Sequence, residues 1–426
     1  MVSFFTSRFD IVLVSVQLLL LHLHVHSTTH WQDVEVLKQL KNSVDPTSIT
    51  PGSCLASWDF SLDPCDNLFT GNFTCGFRCD VAVSSLARVT ELALDHWGYS
   101  ASLTSVSWNN LPYLQTLDLS ANSFHGSIPH SLSHLLNLRR ITLSHNLFSG
   151  PIPPSLGLLS GLEELYLDYN NLEGTVPSSI NRLNNLKRID LQCNNLTGEF
   201  PQLTGLNTLY FLDVSNNGIS GGLPAELPAS LVQLSMRNNA VEGNLPASVT
   251  ALLSLEVLDL SHNKLSGSIP AALFTHPSLQ QVTVSHNQFG SIDEPAAGKW
   301  FHDSQLIAVD LSNNHIRGFL PGFMGLMPRL SSLSLENNKL SGIIPTQYAM
   351  KVLEPGPGVS RLERLLLGSN YLSGAIPGPL LDLKPGSVKV RLGDNCLYRC
   401  PLRLFLCEGG KQKSLTDCKA LGHIIP

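Results

Sequence analysis

The residues in this chain that could do chemistry are of the kind that binds rather than reacts. Residues 162–170 read LEELYLDYN and present Tyr166, Asp168 and Tyr169. About 24 residues on, Asp190 and Gln192 stand beside Cys193, then come Tyr210, Phe211 and Asp213, and then Arg237. Aromatic rings and Arg are the usual anchors of protein interfaces, because they bury much area for little lost rotamer freedom. The acids among them suit a ligand that carries Lys, Arg or a free amine. Catalysis has less to work with. There is no P-loop, no H-E-x-x-H and no G-x-S-x-G, and the acids are spread singly along the chain instead of forming a pair that could serve as general acid and base. No catalytic residue and no cofactor is expected. His130 and His134 have metal-ligand spacing but no acidic third ligand, so no metal site is expected there. His145, His262 and His286 recur in one slot, where close imidazoles would respond to pH, although that slot is also one where histidine is unremarkable.

Stepping out to the cysteines, Cys54, Cys65, Cys75 and Cys79 lie towards one end and Cys396, Cys400, Cys407 and Cys418 towards the other. Each set of four allows three pairings, and the sequence does not choose among them. Zinc is the competing use, and the irregular spacing argues against it. Cys193 is left over as an odd thiol.

What must position these residues is a repeated phrase, L-x-x-L-x-L-x-x-N-x-L-x-G-x-I-P, clear at residues 114–129 and usually recurring every 24 residues. A period of this length denotes a solenoid of stacked units, each too small to bury its own apolar face. The alternation L-x-L makes a short strand with leucines inward and x positions outward. Successive strands pair in parallel about 4.8 Å apart. The Asn after each strand (122, 146, 170, 194, 217, 239, 263, 287, 314, 338 and 370) can satisfy backbone groups on both sides with one amide, and is structural. The Gly four residues later suits a turn with positive φ. The Pro three residues beyond holds the outer coil extended, and the stretch between reads as a second short strand. Two units break step. The one starting at Leu279 lacks the Gly and Pro and carries residues 291–305, and the one starting at Leu330 is stretched by residues 347–361.

The G-x-I-P step is the mark of plant-specific leucine-rich repeats, and residues 53–80 resemble the N-terminal cap of plant receptor-like proteins and receptor kinases. Such a cap begins with a helix, which residues 31–41 fit, with Val34, Leu37 and Leu40 on one buried face. The resemblance implies an α/β solenoid: a right-handed leucine-rich-repeat superhelix with a parallel β-ribbon on its concave face and disulfide-stapled caps. It also implies a secreted or cell-surface recognition protein that binds a peptide or protein ligand on the concave face, working with a membrane receptor kinase in development or defence. The other reading is an inhibitor of a secreted cell-wall-degrading enzyme, since plant polygalacturonase inhibitors share the repeats and the cysteine caps. A structural cell-wall protein is disfavoured by the lack of a Pro-rich extension.

The 426 residues, with formal net charge −6, divide on this reading into a signal peptide at 1–27, a cysteine-rich cap at 28–88, some twelve or thirteen repeats at 89–395 and a second cap at 396–426. The apolar run at 11–21 after Arg8 is too short for a membrane span and fits a cleaved secretory signal. No later stretch reads as a transmembrane anchor, and no Lys/Arg block points to nucleic acid. Disulfides fit an extracellular place. Sequons at Asn72 and Asn195 are candidate glycosylation sites.

Overall fold

The computed structural model describes residues 28–82, 86–295, 303–353 and 355–419. The signal-peptide expectation and the middle of the 291–305 segment lie outside these residues.

Each repeat sets a short strand around the first leucine of its L-x-L, and 12 such three-residue strands follow two longer ones, Phe77–Ala82 and Leu86–Ala93, in one long inner sheet of 14 strands. The first pair, Phe77–Ala82 with Leu86–Ala93, is antiparallel. From Leu86–Ala93 onward all neighbours are parallel and in repeat register, as in Tyr166 beside Asp190 and Asp190 beside Asp213. The leucines of each unit point into a single continuous core; Leu162, Leu165, Leu167, Leu186, Ile189 and Leu191 are all 1% exposed or less. The second strand of each unit forms an outer sheet that comes in two parts. Eight strands run from His125–Gly126 to Gln288–Ile292, and four more from Arg317–Phe319 to Cys396–Tyr398. The interruption falls where the unit at Leu279 lacks its Gly and Pro.

The asparagine column joins inner and outer strands. Asn263 shows the pattern: its Nδ2 donates to the carbonyls of Met236 and Leu260, at 2.9 and 3.2 Å, and its Oδ1 accepts the N–H of Val241 at 2.9 Å. One amide thus satisfies backbone groups in its own unit and in the unit before. Asn395 plays the same part between Leu367 and Leu372.

The caps close both open ends. The N-terminal helix, Trp31–Ser43, buries Asp33, Val36, Leu37 and Leu40. The spacing had placed Val34 on this face. The phase is turned because Asp33 is held in the interior, in a bidentate pair with Arg88 (2.7 Å at Nη2) while also accepting the N–H of Val89 at 2.7 Å. Disulfides join Cys54 to Cys75 and Cys65 to Cys79 in this cap, and Cys396 to Cys418 and Cys400 to Cys407 in the other. Asp95 stands near the first bridge, but its carboxylate accepts the Cys54 N–H and the Tyr99 hydroxyl, and both thiols are spent in the bridge.

The stretched segment at 347–361 folds into a helix, Thr346–Leu353, on the outer coil. Lys351 is 3% exposed and its ammonium donates to the carbonyls of Met327 and Ser360, at 2.6 and 2.9 Å. Burial brings its pKa down to about 8. Arg361 donates back to the Val352 carbonyl. The helix is thus fastened to the coil, and the described residues 355–361 return to the inner ribbon without regular structure.

Candidate functional site

The inner strands from residues 140 to 237 set the candidate residues in columns. One column holds Tyr166, Asp190 and Asp213, in register on adjacent strands. The next column holds Asp168, Gln192, Ser215 and Arg237, and the one beyond holds His145, Tyr169, Cys193, Asn216 and Asn238. Tyr210 stands apart: its position precedes the strand Phe211–Asp213, on the rim shared with Lys187.

At the centre is a residue that the repeat phrase did not single out. The Arg188 guanidinium lies 3.4 Å from the Phe211 ring centroid and 5.2 Å from that of Tyr166. Stacking on an aromatic face is worth about 0.5–2 kcal/mol and fixes the plane of the fork. Arg188 also reaches Asp190 at 3.4 Å, a long contact, and its Nε–H has no partner. The readable sign of this cluster was the aromatic on the strand to either side of Arg188, which parallel register brings together.

Two expected ligand contacts are less open than their positions implied. Asp168 and Asp190 are 7% and 5% exposed. Asp168 accepts from the Ser144 hydroxyl, and Asp190 accepts from Gln192 Nε2 at 3.1 Å. Burial, with the negative charges of Asp168 and Asp213 close by, pushes the Asp190 carboxyl up to about 6. Outwards lie three ion pairs, Arg140 with Glu164 at 2.7 Å and, bridged by Glu163, Lys187 at 2.7 Å and Arg139 at 3.3 Å. Tyr169 is 45% exposed and stacks on His145, with centroids 4.2 Å apart. His262 and His286 stack in the same way at 3.9 Å, further along the same column. Cys193 is unpaired and half-buried.

The column of Tyr169 has a common backbone. His145, Tyr169, Cys193, Asn216, Asn238, His262, His286, Asn313 and Asn337 all have φ between 51° and 56°. Asn is the non-glycine residue that best tolerates this left-handed conformation. Tyr169 therefore occupies a position whose backbone prefers Asn.

Of the sequon asparagines, Asn72 is half-buried in the cap and Asn195 is exposed at the start of the outer strand Asn195–Glu199. Among the described residues, no helix is long and apolar enough to cross a membrane.

Comparison with known proteins agrees with the fold. Leucine rich repeat family models match residues 160–219 and 229–289, and 113–135, 137–159 and 329–349. An inactive leucine-rich repeat receptor-like serine/threonine-protein kinase of Arabidopsis thaliana is 38% identical over 107 residues, which are 25% of this chain and 14% of that protein. Receptor like protein 28 of the same plant is 37% identical over 76 residues, 18% of this chain and 9% of its own length. The chain thus matches only a small part of these relatives. The structure is similar to that of the plant peptide hormone receptor RGFR1 in complex with RGF2, with TM-score 0.62 and 29% identity over 68% of this chain and 45% of that one. The fold defines a leucine-rich-repeat solenoid with a parallel inner ribbon. Within that class, parts of the chain are similar to plant leucine-rich-repeat receptor-like proteins and receptor kinases.

Proposed function

We propose that this is a secreted or cell-surface recognition protein that binds a peptide or protein ligand on the concave ribbon around Arg188. It acts in concert with a membrane receptor kinase in development or defence. The carrying observation is the Arg188 fork held between Tyr166 and Phe211, beside Asp190. Stacking pre-orders a side chain that would otherwise lose rotamer freedom on binding. Tyr169, Gln192, Asp213 and Arg237 stand within a few strands of it and extend the surface, with Asp168 beneath them and Tyr210 on the flank. The solved neighbour that holds a peptide hormone supports this reading. The four disulfides support an oxidising, extracellular place of action. A binding role without catalysis accounts for acids that are spread across strands. Glycans on Asn72 and Asn195 would leave the ribbon free, since Asn195 stands on the outer sheet.

The test is capture of the secreted chain by immobilised plant receptor-kinase ectodomains, with and without synthetic peptide hormones. Replacing Tyr166 and Arg188 by Ala is expected to weaken capture by about 2 kcal/mol or more, as for interface anchors. Unchanged capture would remove this patch from the binding surface. Residual activity of fungal polygalacturonases tests the inhibitor reading in the same preparation; undiminished activity across several enzymes discards it.

A further inference from the structure

The two parts of the outer sheet have the same backbone and opposite chemistry. On the eight-stranded part most exposed side chains are polar or charged, among them Ser149, Glu173, Thr197, Glu199, Glu242 and Lys264, with Leu147 and Pro151 the apolar exceptions. Its strands carry three glutamates and one lysine, Lys264. The four-stranded part carries no Asp or Glu on its strands and bears Arg317 and Lys339, with Arg399 just beyond. Its exposed large side chains other than these cations are apolar: Phe319 at 75%, Tyr398 at 64% and, just after the second strand, Ile343 at 68%, followed by Leu415 of the cap at 69%. The Phe319 ring lies over Gly342 and the Ile343 side chain over Gly374, so the apolar groups run on from strand to strand. The stripe ends in a cavity of about 410 Å³ lined by Ala375, Leu397, Tyr398, Lys413 and Leu415.

The fold does not ask for these residues. The positions equivalent to Phe319 and Ile343 in earlier units include Pro151, Thr175, Glu199 and Asn244, at or just past the end of the same kind of strand. Contiguous exposed apolar surface mostly marks an interaction site. The exposed sequon asparagine, Asn195, stands on the other part of the sheet.

We propose that the four-stranded outer sheet is a second docking surface, separate from the concave ribbon. Its partner is a protein that presents apolar side chains among carboxylates. Charge complementarity chooses that occupant: a surface with Arg317, Lys339 and Arg399 around its apolar stripe, and no acid on its strands, is matched by an acidic rim. One apolar side chain of the partner would enter the cavity beside Tyr398 and Leu415. The surface does not depend on the concave reading above.

A direct test uses the full secreted chain and two synthetic decapeptides, one alternating Leu and Phe with Glu and the other alternating them with Lys. The Glu peptide is expected to bind the unmodified chain, and the Lys peptide at least about tenfold more weakly. In Phe319→Asp/Ile343→Asp, whose altered side chains are exposed and spare the core, the Glu peptide should lose about tenfold or more. A control on the other part of the sheet, Glu173→Arg/Glu199→Arg, should keep full binding, and unchanged melting temperatures show that both variants are folded. The proposal is overturned if the Glu peptide does not bind, if both peptides bind alike, or if the Phe319/Ile343 variant keeps its affinity. Binding of phosphatidylglycerol vesicles that is lost in the same variant would overturn it in another way, by assigning the surface to lipid.

Discussion

Tyr169 and Asp190 each hold a position that the fold would fill more comfortably with another residue. Tyr169 takes φ 51° in a column where Asn216, Asn238, Asn313 and Asn337 take the same conformation. The left-handed region costs a residue such as Tyr roughly 1 kcal/mol, and strain of this kind gathers at functional sites. Tyr169→Asn is therefore expected to raise thermal stability slightly while weakening capture of the ligand; a variant that loses stability instead would show that the stacking on His145 outweighs the backbone cost. Asp190 is an acid whose carboxyl is raised to about 6 in the folded chain, so the native state binds its proton more tightly than the unfolded state does. Stability from this group is greatest below the ordinary carboxylate range and falls as pH rises to about 6. Asp190→Asn should remove that decline, giving a gain on the order of 1 kcal/mol at pH 7.5 and little change near pH 4. Melting temperatures of both proteins across pH 4–8 decide it. Arg188 is not legible in the sequence because it stands outside the slots next to Asn and its partners come from two other strands.

Among the elements, the asparagine column and the helix of the stretched unit tie one repeat to the next. The recurrence of Asn at the end of each strand marked it as structural, and the structure shows why: each amide serves two units at once. Asn263→Ala would leave the Val241 N–H and the Met236 carbonyl without this partner. The expected cost is roughly 2–4 kcal/mol in chemical denaturation, with amide exchange speeding up first around Val241 and Met236. Other features of the elements were less legible. The apolar spacing of the first helix was clear, but its phase was turned by the buried pair of Asp33 with Arg88, a contact 55 residues apart in sequence. The stretched unit is visible in the sequence only as extra length, whereas Lys351 and Arg361 fasten it as a helix and its return.

Over the whole molecule, stability runs along one dimension, since each unit touches only its neighbours. The caps matter because the end units would otherwise expose a full apolar face. Removing the Cys54–Cys75 bridge, which closes a separation of 21 residues, by Cys54→Ser/Cys75→Ser should cost about 2–4 kcal/mol. The loss should be local: hydrogen exchange is expected to rise in the strands from Leu86–Ala93 onward before it rises near Lys389–Arg391. A uniform rise along the chain would show that the units unfold together. The break in the outer sheet also belongs to this scale, because it separates an acidic surface from an apolar, basic one.

Read alone, the sequence determined the solenoid, the inward leucines, the asparagine column and the turns with positive φ, because each is a local demand repeated about every 24 residues and the period makes it visible. It marked the cysteines of both caps but not their pairing. Tertiary structure alone decided which cysteines meet, that Asp168 and Asp190 are nearly buried, that Arg188 lies between Tyr166 and Phe211, and that the outer sheet is two surfaces. Each of these depends on which residues of different units come within a few ångströms of one another, and that distance is set by the stacking of units, which no single repeat contains.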